Sequence, residues 1–227
     1  MSEHVLDRPV WHSLAGVHAG LGRREGSAAV YDPAVSPFAG TADDTPQGWD
    51  DLRVLLGPSG SAVLPGFPSP VPDDIRIAFR GTALQMVADG WSGEPDREAL
   101  ELSRDEDGPE MLALAAAARP GPFESRTPEI GRYVGFRVDG ALVAMAGERL
   151  RPPGYTEISA VCTDEAFRGR GYAERAVRTV AAGIVARGDT PFLHVASGNT
   201  GAVRLYERMG FVTRREVDIV AVVIPGS

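Results

Sequence analysis

Arg168-Gly169-Arg170-Gly171-Tyr172-Ala173 joins a strand-like run ending near Cys162 to a long helical pattern. At such a junction the backbone amides collect where the helix dipole is positive, which makes the turn an anion site. The two glycines let the main chain approach a diphosphate without Cβ interference, and Arg168 and Arg170 add fixed positive charge. The turn is not a dinucleotide fingerprint, because the last glycine of GxGxxG would fall on Glu174. No GxxxxGK[ST] phosphate loop occurs in the chain.

Downstream of the turn, Ala173, Ala176, Val177, Val180, Ala181, Ile184 and Val185 step by three and four, the spacing of an amphipathic helix that Gly188 ends. Phe192 to Ala196 reads as a strand. Asn199 caps a helix through Met209, with Gly210 as its C′ residue, and Phe211 to Val223 returns as a strand. Upstream, Thr156 to Cys162 is a strand. Tyr133 to Val138 and Leu142 to Arg149 form a hairpin about Asp139-Gly140, which supplies the positive φ angles of a tight turn. Before it, Leu100 and Leu102 alternate in a short strand, and Asp107 is expected to cap a helix through Ala118. The order is strand, helix, three strands, helix, strand, helix, strand.

The turn formers Asp89 to Asp96 predict a boundary between residues 1–92 and 97–227. In the first span, Trp11 to His18 and Trp49 to Leu56 read as helices. Ala62 to Leu64, Ile75 to Phe79 and Leu84 to Val87 read as strands, and Pro33 to Gln47 and Pro58 to Pro72 as loops. His4, His12 and His18 lack a spaced carboxylate or cysteine partner, so they read as surface or capping residues and no metal site is expected.

Composition narrows the class. The 227 residues are 43% hydrophobic and 24% charged, a balance suited to a packed globule rather than a disordered chain. The start Met1 to Arg8 has no basic-then-apolar signal pattern, and no run approaches the roughly 20 apolar residues of a membrane span. With Cys162 as the one cysteine, a cytoplasmic protein without membrane attachment is expected. A net charge of -8 disfavours nucleic acid and mildly favours cationic amines; all 23 basic residues are Arg.

The chain resembles the GNAT N-acetyltransferase superfamily, whose [RQ]xxGx[GA] signature is matched by Arg168, Gly171 and Ala173. A second motif follows in order: a strand, Asn199, Tyr206 in the next helix, then Gly210-Phe211. The resemblance covers about residues 97 to 223. It implies an α/β fold with a mixed, largely antiparallel sheet, and acetyl-CoA as acyl donor with no metal. The motif-bearing second half resembles the glycine N-acyltransferase-like branch, with a degenerate copy of the same fold as one reading of the smaller α/β first half. The acceptor implied is a small-molecule or peptide amine, walled by the first half and the loop Pro122 to Ile130; a homodimer is left open.

By the same resemblance, Ala160, Val161, Cys162 and Thr163 offer backbone groups to the pantetheine arm. Arg168, Gly169, Arg170, Gly171, Tyr172 and Ala173 hold the diphosphate, and Asn199 bonds pantetheine while also serving as an N-cap. An alkylamine of pKa about 10.4 is only about one part in 2,500 neutral at pH 7, so a proton acceptor is expected. Glu157 stands 168 − 157 = 11 residues before Arg168, where several members of the family carry a catalytic glutamate. The alternative for Glu157 is a strand carboxylate paired with Arg149 across the hairpin, and Glu148 is the substitute base. Tyr206 matches the position of the acid that protonates the leaving thiolate, although Ala202, Leu205, Tyr206 and Met209 share one helix face and could make it core. The N–H near Val161 would polarise the thioester oxygen. Cys162 is read as a small buried residue, and His194 as a structural hydrogen-bonding group. A non-catalytic acyl-CoA-binding module is the competing class.

Overall fold

The computed structural model describes residues 4–66 and 70–226. Residues 1–3 of the expected unsignalled start, and 67–69 of the loop expected over 58–72, lie outside them. Along the chain run α1 (Pro9–Ala15), β1 (Gly22–Glu25), β2 (Ala28–Tyr31), β3 (Ala39–Thr41), α2 (Pro46–Leu56), β4 (Ser61–Pro65) and β5 (Arg76–Val87). There follow β6 (Leu100–Glu101), α3 (Arg104–Ala118), β7 (Tyr133–Val138), β8 (Ala141–Glu148), β9 (Tyr155–Thr163), α4 (Tyr172–Ala186), β10 (Thr190–Ala196), α5 (Thr200–Arg208) and β11 (Val212–Val223).

One sheet takes eight strands in the order β4-β11-β5-β10-β9-β8-β7-β6, and β1-β2-β3 form a small second sheet. Seven neighbours make the large sheet mixed: β9 and β10 are parallel, and every other pair is antiparallel. The parallel pair follows from the β9-α4-β10 crossover, since only a connection of that length returns a strand in the same direction. The large sheet runs across the boundary expected at residues 93–96. β5 lies between β10 and β11, and β4 flanks β11. The turn-rich segment is instead a connection pinned to α4, with Arg175 Nε donating to Asp96 Oδ2 at 2.7 Å.

Both sheet faces are covered. Ala176, Val177, Val180, Ala181 and Ile184 of α4 pack with Ile158, Leu193 and Val195 on one face. On the other, Met111 and Leu114 of α3 meet Met145, Ala160 and Cys162, while Leu6, Val10 and Leu14 from the first half meet Leu150 and Phe192. Each fully buried Val, Leu, Ile, Phe or Met among them contributes about 1.5–3 kcal/mol.

Several local expectations shift. Helix α1 begins at Pro9, whose fixed φ and missing N–H suit the first helical position, and not at Trp11. Ser103 rather than Asp107 caps α3: its Oγ accepts from Glu106 N, while Asp107 Oδ2 accepts from Ser103 N at 2.6 Å from inside the helix. The two strand pieces expected over Ile75 to Val87 are one strand, β5. Strand β3 lies within the run expected to be loop, and β2 precedes it with all four residues buried, so it shows no alternation to read.

Candidate active site

Strands β9 and β10 pair only over Tyr155–Glu157 and Thr190–Phe192. Beyond that point β9 carries a bulge: two of its residues, Ala160 and Val161, stand opposite Ala146 of β8, between the pairs Gly147↔Ser159 and Met145↔Cys162. Ala160 adopts φ 52°, a left-handed conformation that costs a non-glycine residue about 1–2 kcal/mol. The bulge bends β9 away from β10, whose remaining residues pair with β5. Ala160–Thr163 therefore have β8 on one edge and, among the described residues, no strand on the other.

The open edge leads into the glycine turn. Gly169 and Gly171 have φ of 76° and 82°, and a Cβ at either would meet nothing within 4 Å. Gly171 is the N-cap of α4 and supplies no side-chain cap, so the first-turn amides of the helix stay available. Arg170 stacks on Phe167 at 4.9 Å, Arg168 and Arg170 are exposed, and Thr163 Oγ1 is buried with no hydrogen-bond partner among the described residues. Because β9 and β10 are parallel, their C-terminal ends share one side of the sheet, which brings the α5 N-terminus to the same edge. There Asn199 is exposed and its Oδ1 accepts from Ala202 N at 3.2 Å, leaving the Nδ2 donors unused among the described residues. These features fit a phosphorylated, extended donor such as acetyl-CoA.

Glu157 occupies the face covered by the first half and has no exposed surface. Arg149 Nε and Nη2 donate to its two carboxylate oxygens at 2.9 and 2.7 Å, Leu150 N donates at 3.3 Å, and His194 Nδ1 lies 2.7 Å from Oε1. Burial alone would raise its pKa, but the Arg149 charge and these bonds prevail and hold it at about 2. The cross-hairpin pairing with Arg149 weighed from the sequence is thus present, and Glu157 is saturated with donors. Arg214 Nη1 donates to Gln85 Oε1 at 2.7 Å and Gln85 Nε2 donates to Leu6 O at 2.9 Å, which orients that amide. Its second N–H faces His194 Nε2 at 3.1 Å. His194 Nε2 must accept there, so the ring proton resides on Nδ1 and is donated to Glu157.

His194, Arg149 and Leu150 form the floor of a cavity of about 330 Å³ whose walls include Phe38, Val63 and Phe79 of the first half. Pro122 borders it, and the loop beyond is tied to the first half by Thr127 Oγ1 donating to Val35 O and by Arg126 pairing with Asp32, both at 2.7 Å. Glu148 does not reach this cavity. It faces the α4 side of the sheet, where it pairs with Arg187.

Tyr206 is buried in the α4-side core, edge-on to Phe211 with ring centroids 5.9 Å apart, and burial pushes its phenol up to about 12. Cys162 is buried and its thiol is pushed up to about 12 by burial, which suits a packing residue rather than a nucleophile. His4 caps the turn Val5–Asp7 through Leu6 N. His18 is buried rather than exposed, and bonds Tyr31 Oη at 2.8 Å. The role of His194 was not legible as part of a site, because nothing in its local sequence marks Gln85, 109 residues away, as its partner.

The model of the FR47-like protein family matches residues 133–220. An acetyltransferase of the GNAT family from Novosphingobium aromaticivorans is 42% identical, with 99% of this chain and 100% of that one covered at a TM-score of 0.89. With a relative of that identity matched along its whole length, the chain belongs to the GNAT family of N-acetyltransferases. A GCN5-related N-acetyltransferase from Kribbella flavida shares the fold, with TM-score 0.66 and 19% identity over 95% of this chain and 94% of that one. The N-alpha-acetyltransferase RimI of Mycobacterium tuberculosis is 39% identical over 82 residues, which are 35% of this chain and 51% of that protein, so the match spans about half of its length.

Proposed function

We propose that the protein transfers the acetyl group of acetyl-CoA directly to a primary amine. The observation that carries this reading is the divergence of β9 from β10 beyond Glu157, which opens a strand edge leading straight to the uncapped, glycine-flanked start of α4. Arg168 to Ala173 would hold the diphosphate, Ala160 to Thr163 the pantetheine arm, and Asn199 its amide groups. The N–H near Val161 would polarise the thioester oxygen. Tyr206, protonated at neutral pH, would donate to the departing thiolate.

For the proton of the ammonium acceptor, Glu157 acts through His194. The carboxylate fixes the ring with Nδ1–H bound and Nε2 as acceptor, and His194 is the member of the pair that borders the cavity. To reach Nε2 the amine has to displace the N–H of Gln85, a buried side chain held by Arg214 and Leu6, so acceptor binding must shift that amide. This makes Glu157 a positioning residue. The first half serves as the acceptor wall; its role as a degenerate copy, and a glycine N-acyltransferase-like placement, rest on the position of the motifs alone.

The donor saturation of Glu157 gives the competing reading, an acyl-CoA-binding module without transfer, one specific point in its favour. Acetyl-CoA consumption measured with a panel of amines separates the two. Amine-dependent release of CoA is expected, and tight acetyl-CoA binding with no release for any amine would overturn the transferase reading.

A further inference from the structure

Arg149 commits Nε and Nη2 to Glu157, which leaves Nη1 without a hydrogen-bond partner among the described residues. Its guanidinium is stacked 4.8 Å over the ring of Phe38, which fixes its plane, and the side chain keeps 13% exposure on the cavity. Nη1 lies on the Gly121-Pro122 side, 4.0 Å from where a Cβ at Gly121 would stand. Arg149 and His194 both line the cavity, and Nη1 is the guanidinium nitrogen left with two unused N–H donors among the described residues. The walls above are apolar, with Phe79 folded across Gly81, where a Cβ would come within 2.8 Å of its ring. At about 330 Å³ the cavity is at the small end of ligand sites.

Resting on the transferase reading above, we infer that the acceptor is an α-amino acyl unit with an apolar side chain. Its amine meets His194, its α-carbonyl or α-carboxylate oxygen accepts from Arg149 Nη1, and its side chain lies between Phe38, Val63 and Phe79. A simple alkylamine would leave Nη1 unpaired, and a small side chain would leave the walls uncovered. A carboxylate and a carbonyl share the oxygen that Arg149 requires, so a free amino acid and a peptide N-terminus are two sources of one chemistry.

The test compares phenylalaninamide, free phenylalanine, glycinamide and 2-phenylethylamine as acceptors, with kcat/KM expressed per neutral amine so that their different basicities cancel. Phenylalaninamide or phenylalanine is expected to exceed both 2-phenylethylamine and glycinamide by about tenfold or more. The better of the first two identifies the source. Arg149→Lys keeps a positive charge on Glu157 and should narrow the preference over 2-phenylethylamine. Phe79→Ala, at a residue 58% exposed and so free to change without unfolding the chain, should narrow the preference over glycinamide. Equal use of 2-phenylethylamine or of glycinamide by the parent would overturn the inference while leaving the transferase reading intact. So would calorimetry that finds no binding of phenylalanine or its amide to the CoA-loaded protein. Failure of the transferase reading would appear separately, as loss of amine-dependent CoA release across all four.

Discussion

His194 Nδ1 lies 2.7 Å from Glu157 Oε1, so the one parallel pairing in the large sheet, β9 with β10, ends on a carboxylate–imidazole contact. The contact joins two remote parts of the chain: Arg149 holds Glu157 from the hairpin side, and Gln85 holds His194 from β5, which precedes the family motifs. If His194 accepts the ammonium proton, His194→Gln should lower kcat/KM by about 10²- to 10⁴-fold near neutral pH. The loss should shrink as alkalinity deprotonates the amine unaided. Glu157→Gln should show the same narrowing with pH. A constant loss at every pH, in both variants, would mean that the pair holds structure only.

Two separate buried groups make the fold acid-sensitive in two windows. His18 is buried, and burial followed by the nearby Arg151 charge lowers its pKa from 6.5 to about 4. Between those values the unfolded chain binds the extra proton, so stability is full above about pH 6.5 and falls as pH drops toward 4. Glu157, held at about 2 against an ordinary 4.5, adds a second loss as pH falls from its ordinary value toward 2. Urea midpoints measured from pH 8 to pH 3 should fall in both windows. His18→Gln should flatten the upper window, whose ceiling is about 3 kcal/mol, and leave the lower one.

What the sequence made legible follows from the range of the interactions involved. The turn at Arg168 to Ala173, helix α4 and the Asp139-Gly140 hairpin are set by neighbours within a few residues, through glycine φ values, caps and periodicity. The pairing of Arg149 with Glu157 was also within reach, being one hairpin apart. The insertion of β5 between β10 and β11 was not, because the alternation of Ile75, Ile77 and Phe79 shows a strand and says nothing of its neighbours. Pairings such as Phe192 with Val87 depend on tertiary packing alone. That insertion is what delivers Gln85 to His194 and Phe79 to the cavity, so the proposed acceptor cavity was hidden while the glycine turn and the helix start of the proposed donor site were readable.

Gly171 tests the donor side. Its φ of 82° is one that side chains resist, while its surroundings are open, so Gly171→Ala should cost about 1–2 kcal/mol of stability and bind CoA with modest loss. Gly171→Asp adds a negative charge at the start of α4, where a diphosphate would approach. Calorimetry should show CoA affinity falling by about tenfold or more beyond the alanine variant, with the circular dichroism of the fold retained. Equal affinity in the aspartate variant and the parent would remove the turn from the donor site.

Tyr206 tests the last step of transfer. Its ring belongs to the core beside Phe211, and Tyr206→Phe preserves that packing while removing the hydroxyl, so the fold and CoA affinity should change little. A phenol is protonated at neutral pH in any case, and burial, which pushes this one up to about 12, makes it a weaker acid, so its donation has to be drawn by the basic thiolate as that forms. Turnover should therefore fall in the variant without a matching rise in the KM for acetyl-CoA. A donor whose leaving thiol is more acidic needs no protonation as it departs. It should restore the Tyr206→Phe variant and leave Glu157→Gln impaired, since that defect lies on the amine side. Rescue of both variants, or an unchanged rate in the phenylalanine variant with acetyl-CoA itself, would return Tyr206 to a purely packing role.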